Sequence, residues 1–377
     1  MQRSQQTNPP PPTKVSNLQQ FLTTGPLQLL FALIVPVLGF FMLWRSFVFM
    51  RDADAPRSLI AVVALLVGVF GVWFLFWATN ALVERFPARV RDGLRPYVFV
   101  GPAMTILGVY LVYPALNTLM RSFMNRNSTE FVGLENYRAI FFSREIQQVL
   151  LNNFMWLVFV TAGAVIAGLL IAVLVDRIGR LEPVAKSFIF LPMAISAVGA
   201  SVIWKFMYDK QTTPGLPEIG FVNAVITSLG GRGLDFIRSF PINNFAFMFI
   251  MFWMVTGFCM VILSAAIKGV PSELLEAARI DGASEIRTFF SVTVPYIGPT
   301  LLVVTTTVLI MVLKVFDIVY VFGGQLYGAD VIANRMFREL FTFVNYGLGS
   351  ALASLLLIAV LPIIFWNIRE LRQAQGR

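Results

Sequence analysis

The chain has 377 residues, 57% of them hydrophobic and 13% charged, with a net charge of +9 and a mean hydropathy of +0.76. No soluble domain of this size needs so much apolar surface, so the sequence reads as a polytopic membrane protein, and cations set in short loops between apolar runs suit the positive-inside rule and anionic headgroups better than nucleic acid. There is no His, and the single Cys, Cys259, lies in an apolar stretch as a small packing residue, which removes imidazole acid–base chemistry, nearly all zinc sites and any internal disulfide.

Residues 1–24 are polar, carry the run Pro9–Pro12 and read as a disordered cytoplasmic tail. No secretory signal is recognisable, because the first apolar segment is long and no small-residue cleavage site follows it. Runs long enough to cross about 30 Å of hydrocarbon lie at 27–49, 58–83, 97–120, 153–175, 186–207, 245–267, 296–321 and 350–368. They predict an all-α fold of about eight transmembrane helices, with a re-entrant path left open for the Pro-containing first run. The first two runs form an accessory pair that ends, with the Arg-rich 84–96 linker, a 25–96 region. Residues 97–370 hold six spans, and 371–377 form a second cytoplasmic tail. Gly163, Ala167 and Gly168 in the fourth run predict close helix packing, inside the core or against another subunit.

A polar stretch, 268–295, separates the sixth and seventh runs. Pro271-Ser272-Glu273 opens a helix there, with Ser272 suited to N-cap and Glu273 to the positive end of the dipole. Asp281-Gly282 breaks it, since Gly takes the angles of a tight turn without steric cost. A second short helix starts at about Ala283, and Pro295 returns the chain to the membrane. The pair Ala277-Ala278 leaves room for close approach by another surface, while Glu276 offers a carboxylate to a partner Arg or Lys. Taken alone, these residues equally fit a plain helix-turn-helix connector with a solvated Glu276.

Glu276-Ala277-Ala278, three residues, Gly282, nine residues, then Val292-x-Val294-Pro295 resembles the EAA loop of the permease subunits of bacterial ABC importers, with Val where that family usually has Ile and Leu. Phe131-Val132-Gly133-Leu134-Glu135-Asn136-Tyr137 is similar to an outer-loop signature of sugar-type permeases. Val315-Phe316-Asp317-Ile318-Val319-Tyr320-Val321 is similar to another, although Gln325 follows Gly323-Gly324 where Pro is often found. The segment 322–348, with Tyr327-Gly328-Ala329-Asp330 and Ile332-Ala333-Asn334-Arg335, looks most like permeases for α-glucosides and glucosylated compatible solutes such as glucosylglycerol.

The resemblance covers roughly 97–370. It implies a six-helix type I importer core in a bacterial inner membrane, with Glu273, Glu276, Ala277, Ala278, Asp281 and Gly282 as the socket for a separate ATPase. It further implies two cytoplasmic ABC ATPase subunits that carry the ATP and Mg, a second homologous permease, an extracytoplasmic solute-binding protein, and no cofactor on this chain. If the EAA-like loop is cytoplasmic, both termini are cytoplasmic too. Arg85, Arg89, Arg91 and Arg95, then Arg177, Arg180 and Lys186, then Arg369, Arg372 and Arg377 all face inward. The outer loops also carry Lys and Arg, offset by comparable numbers of Asp and Glu, so the charge bias agrees with this orientation without fixing it.

Lys314 and Asp317 are ionisable residues inside the seventh run, a costly placement that usually serves function. Three apart on a helix, they share a face and can pair, and Tyr320 continues that face. In the outer half of the span they would line a central vestibule, with the Asp317 carboxylate accepting from sugar hydroxyls and Tyr320 stacking or donating. Trp253 in the sixth run is a second aromatic for a sugar face. The plainer reading is a structural ion pair for Lys314 and Asp317 and interfacial anchoring for Trp253 and Tyr320. For Met251, Met254 and Val255 it is core packing.

No phosphate-binding loop exists, since the chain contains no Gly-Lys pair, so the energy must come from another subunit. Carboxylate pairs such as Asp52 and Asp54 lie in ordinary loops and make no hydrolytic site. No catalytic or metal-ligating constellation is visible. A membrane-embedded glycosyltransferase would need an accessible acidic site in a large loop, and 208–244 offers only the widely spaced Asp209, Glu218 and Asp235. A proton-coupled secondary transporter would need protonatable residues at mid-membrane, which are scarce here.

Overall fold

A computed structural model of the chain describes residues 26–52, 55–84, 86, 88–213 and 216–375. The tail expected at 1–24 lies outside them, as do Asp54 and the side chains of Arg85, Arg89, Arg372 and Arg377. All eight apolar runs are helical, as they must be in a solvent that cannot bond to a free backbone. Among the described residues six helices are long and apolar enough to cross a membrane, and a bent pair makes a seventh. The helix Pro26–Asp52 covers the remaining run without a re-entrant turn.

The chain divides into two compact units, Met1–Ala115 and Leu116–Arg377. In the first, Pro26–Asp52 packs against the helix Val72–Val83 through small residues. A Cβ on Gly39 would come within 2.5 Å of Phe74 Cε1, and one on Gly71 would strike Leu43. A bulkier residue at either position would require Phe74 or Leu43 to move. The third run is helical from Ala88 to Arg121, with a wider turn at Gly108–Val112, and the boundary between the units falls within it.

The second unit is organised around the fourth span, Arg144–Val175, lying along the sixth, Ile242–Lys268. The small residues of the fourth span serve this packing inside the core: a Cβ on Gly168 would sit 2.5 Å from Cys259 Cβ and 2.9 Å from the Met260 amide nitrogen. Trp156, Val160 and Ala164 meet Phe247, Ile250 and Met260 there, with Val304, Val308 and Val312 of the seventh span, Gly298–Phe322. A second cluster, with Ile140, Ile146, Leu313 and Leu352, joins in the eighth span, Tyr346–Arg369.

The signature 131–137 turns out to be a clamp. Gly133 adopts φ +63°, and Asn136 Nδ2 donates to the carbonyls of Ser122 (2.9 Å) and Met124 (2.7 Å). Tyr137 Oη lies 2.7 Å from Ser122 Oγ, so the loop after the third run is closed on itself.

The fifth run departs from the straight span expected at 186–207. It is two helical segments, Gly179–Ala194 and Ala197–Met207, bent by 98°. Pro192 sits in a tight turn, Leu191–Ala194, Ile195 is extended, and Ser196 caps the second segment by accepting from the Gly199 amide at 3.1 Å. The bend also fits the sixth span, where a Cβ on Gly257 would lie 2.8 Å from Phe190 Cα.

Candidate functional site

The sixth span ends at Lys268, and the polar hairpin follows as the helix Ser272–Ile280 and a second limb that starts at Glu285. Ser272 makes no capping bond and is already the first helical residue; the side-chain cap belongs to Ser284, which accepts from the Arg287 amide at 3.4 Å. The expected cap was therefore one limb too early, because Pro271 alone starts the first helix with its fixed φ of −57°.

The turn itself is a complete Schellman motif. Gly282, at φ +77°, donates to the Arg279 carbonyl at 3.0 Å, and Ala283 donates to the Ala278 carbonyl at 3.0 Å. Ala278, half-buried, thus has a packing and a capping duty, whereas Glu273, Glu276, Ala277, Asp281 and Gly282 are exposed. Among the described residues Glu276 forms no ion pair. The hairpin also leaves large apolar side chains in the open, with Ile280 86% and Ile286 73% exposed.

Beneath the hairpin, Glu285 reaches Arg177 at the end of the fourth span (2.9 Å) and Arg279 (3.9 Å). Deeper, five polar groups from three elements close on one another. Lys186 binds Asp176 Oδ1 at 2.8 Å and Glu182 Oε1 at 2.7 Å, Ser264 donates to Asp176 at 2.6 Å, and Lys268 pairs with Glu182. Two carboxylates and two ammonium groups balance, which is what allows Asp176, Glu182 and Lys186 to sit largely out of water, while Lys268 stays exposed at the edge. The sequence marked Lys186 as a loop cation only. Its partners on the fourth and sixth spans are too distant along the chain to be paired by spacing.

On the opposite side of the molecule, Lys314, Asp317 and Tyr320 are all exposed, yet they do not stand on one helix. The helix ends at Leu313, Phe316 takes φ −136° and ψ −58°, and a new helix runs from Asp317 to Phe322. Among the described residues Lys314 and Asp317 form no ion pair, because the break turns them apart. Lys314 instead enters an apolar groove with Phe316, Met336, Phe337 and Leu356, ≈ 520 Å³ in volume. Asp317 and Tyr320 do share the short helix, and the Tyr320 ring packs on Phe316 (5.1 Å) and edge-on to Phe337 (5.5 Å). Trp253 is half-buried edge-on to Trp204, at 5.6 Å between ring centroids. Met254 and Val255 are buried in the core, and Met251 packs against it half-buried.

What sequence reasoning missed is how the 323–345 segment is held. Asn152 donates to the carbonyls of Gly328 (2.8 Å) and Asp330 (2.9 Å), Asn153 accepts from the Ile332 amide (2.9 Å), and Asn243 donates to the Tyr327 carbonyl (3.0 Å). Asp330 accepts from Asn334 at 2.6 Å and from Arg338 at 3.1 Å, and Arg335 pairs with the buried Glu339 at 2.8 Å and with Glu145. Burial pushes the Asp330 carboxyl above the usual carboxylate range, against the opposing pull of Asn334 and Arg338. The motif residues Asp330, Asn334 and Arg335 are therefore internal anchors. Asn152, Asn153 and Asn243, at the edges of the fourth and sixth runs, were the available signal, since polar residues next to an apolar run need partners once the helix extends through them.

Among the described residues no group of His, Cys, Asp and Glu is arranged to hold a metal ion. Residues 164–369 match the family model described as binding-protein-dependent transport system inner membrane component. The chain is 50% identical over 275 residues to the osmoprotective compounds uptake permease protein GgtC of a Synechocystis species, covering 73% of this chain and 98% of that one. It is 42% identical over 330 residues to the alpha-glucoside transport system permease protein AglF of Rhizobium meliloti, covering 84% and 98%. In fold it is similar to a chain of a bacterial ABC transporter involved in the import of the acidic polysaccharide alginate. The TM-score there is 0.65 at 19% identity, over 76% of this chain and 99% of that one.

Proposed function

The chain belongs to the family of binding-protein-dependent transport system inner membrane components, and from that premise we propose that it is the membrane-spanning permease of an ATP-driven importer of small neutral glucosides. The observation that carries this reading is the hairpin 268–295. Its Schellman turn follows closely on a membrane span and presents Glu276, which forms no ion pair among the described residues, beside exposed Ile280 and Ile286. A surface of that kind suits the groove of a nucleotide-hydrolysing subunit, with a basic residue answering Glu276 and a slot for the aliphatics. Two such ATPases would bring the ATP and Mg, and a homologous second permease would complete the pathway.

In this reading the hairpin, both termini and the 84–96 linker face the cytoplasm of a bacterium, and an extracytoplasmic binding protein delivers solute to the opposite side. Closure of the ATPases would displace the hairpin and switch the membrane domain from inward- to outward-facing, a two-state equilibrium biased by nucleotide. The relatives named for osmoprotective compounds and alpha-glucosides support a polyhydroxylated neutral solute such as an α-glucoside or glucosylglycerol. Asp317 and Tyr320, exposed on one short helix, would meet its hydroxyls, with Lys314 and Trp253 nearer the margin and Met251, Met254 and Val255 behind them as packing.

The test is purification of the tagged chain from its own membranes, followed by reconstitution. Two ATPases, a second permease and a binding protein should accompany it. Proteoliposomes should take up labelled maltose or glucosylglycerol only with ATP inside the ATPase compartment and binding protein on the other face. Uptake driven by a proton gradient without ATP would overturn the reading.

A further inference from the structure

A cavity of ≈ 510 Å³ lies on the side away from the hairpin, between the second segment of the bent fifth run, the 208–244 loop and the start of the 323–345 segment. Its rim holds three cations, Lys205, Lys210 and Arg238, and two carboxylates, Asp209 and Asp235. Among the described residues none of the five is in an ion pair. The bound oxygen of each carboxylate is used locally: Asp209 accepts from the Lys210 amide at 2.9 Å, and Asp235 from the Ile237 (3.1 Å) and Arg238 (2.8 Å) amides. Among the described residues the second oxygen of each accepts no hydrogen bond. Phe206, Phe322 and Tyr327 supply aromatic surface.

The walls are fixed from behind, which separates this cavity from a chance gap between solvated loops. Asn223, with no exposed surface, donates to the Asp209 carbonyl (2.9 Å) and the Leu234 carbonyl (3.0 Å) and accepts from the Leu234 amide (2.9 Å). It thereby sets the spacing between the two acidic walls. Asn243, equally buried, fixes the Tyr327 backbone at 3.0 Å. Two buried amides spent on holding loop backbone indicate that the shape of this cavity is maintained.

We propose that this cavity is a receiving site for the solute at the extracytoplasmic face, separate from the stripe at Asp317 and Tyr320, and that it takes a neutral polyhydroxylated ring of one to two sugar units. Each hydroxyl of such a ring both donates and accepts, so it can use unpaired ammonium and guanidinium donors and free carboxylate oxygens together, with an aromatic surface against the ring face. A lone anion meets two carboxylates, and a lone cation meets three positive groups. The inference rests on the proposed transport role and orientation, and it deepens them by adding a site.

The test uses the purified complex without binding protein and labelled maltose and glucosylglycerol as probes. Asp209→Asn, Lys210→Gln and Arg238→Gln each remove one charge at the rim and leave Asn223 and Asn243 untouched. Half-saturation of probe binding should rise at least fivefold in each, Lys210→Arg should restore it to within about twofold of wild type, and docking of unliganded binding protein should change by less than twofold. Unaltered probe binding in all three variants overturns the proposal. So does loss of binding-protein docking with probe binding intact, which would make the surface a protein dock. A wild-type complex that imports neither probe when supplied with ATP and its binding protein overturns the transport reading itself, and that result appears before any variant is made.

Discussion

The indole Nε1 of Trp156 donates to Asn244 Oδ1 at 2.8 Å, joining the fourth span to the sixth where neither side chain has exposed surface. Asn244 in turn donates to Asn152, which holds the carbonyls of Gly328 and Asp330. Trp156→Phe keeps an aromatic ring but removes the donor and part of the buried indole volume. It should cost about 1 kcal/mol for the hydrogen bond and a further cavity cost of similar order. The loss should be read in a denaturant titration in mild detergent, and protection of the 327–335 amides from exchange should fall with it. Unchanged stability and exchange would mean that the chain of amides carries no shared energy.

At the hairpin, Gly282→Val places a β-branched residue at φ +77°, where no Cβ clash with neighbours occurs but the backbone conformation itself costs about 1–2 kcal/mol. The turn should open, and ATP hydrolysis by the assembled complex should lose its stimulation by solute-loaded binding protein. Glu276→Lys should instead weaken co-purification of the ATPase by roughly tenfold, an exposed charge reversal acting against a basic partner. Wild-type uptake in either variant would remove the hairpin from the coupling path.

Orientation is open to a labelling test that the native protein favours, since Cys259 is fully buried and will not react. Ile280→Cys and Arg91→Cys should resist an impermeant thiol reagent applied to intact cells and react in inside-out vesicles. Arg232→Cys should behave oppositely. Arg232 is a better site than Gly231, where a Cβ would meet the Ile226 carbonyl oxygen at 2.9 Å. Labelling of Ile280→Cys from outside would overturn the orientation and the ATPase dock together.

For the solute path, Asp317→Asn should lower uptake by about threefold and Asp317→Leu by more than about tenfold, as expected when a hydrogen bond to a charged group is weakened or lost. Assembly should be unaffected, because Asp317 is exposed and unpaired among the described residues. Normal transport by Asp317→Leu would take this carboxylate out of the path.

Asp330 gives a pH dependence of defined sign. Its carboxyl is held above the usual range by burial, so the folded state binds the proton more tightly than the unfolded chain does. The resulting stabilisation is complete below the ordinary carboxylate value and is lost as pH rises through the raised one. Wild type should therefore gain thermal stability relative to Asp330→Asn as pH falls from 7 toward 4. A difference independent of pH would show that Arg338 and Asn334 fully compensate the burial.

The spans were legible because a run of apolar residues in a membrane has one backbone solution. The hairpin turn was legible because Gly282 takes a positive φ that other residues avoid. The break between Leu313 and Asp317 was not, since it contains neither Gly nor Pro and rests on the backbone angles of Phe316, which tertiary packing sets. The bend at Ile195 had a signal in Pro192, but hydropathy averages over it. The anchoring of Asp330, Ile332 and Arg335 was not legible because their partners, Asn152, Asn153 and Glu145, lie more than 170 positions away.

Gly168 and Gly257 have a mechanical consequence. With no side chain at either place, the sixth span meets the backbone of the fourth at Gly168 and that of the bent fifth at Gly257. Twenty-seven residues at 1.5 Å each make the sixth span a strut of about 40 Å. One end is continuous with the hairpin, and the other carries Asn243 and Asn244. A thrust delivered at Ser272 would run along this strut past the two backbone contacts, and the breaks in the helix at which it would turn are Gly269–Pro271 below and Pro241 above.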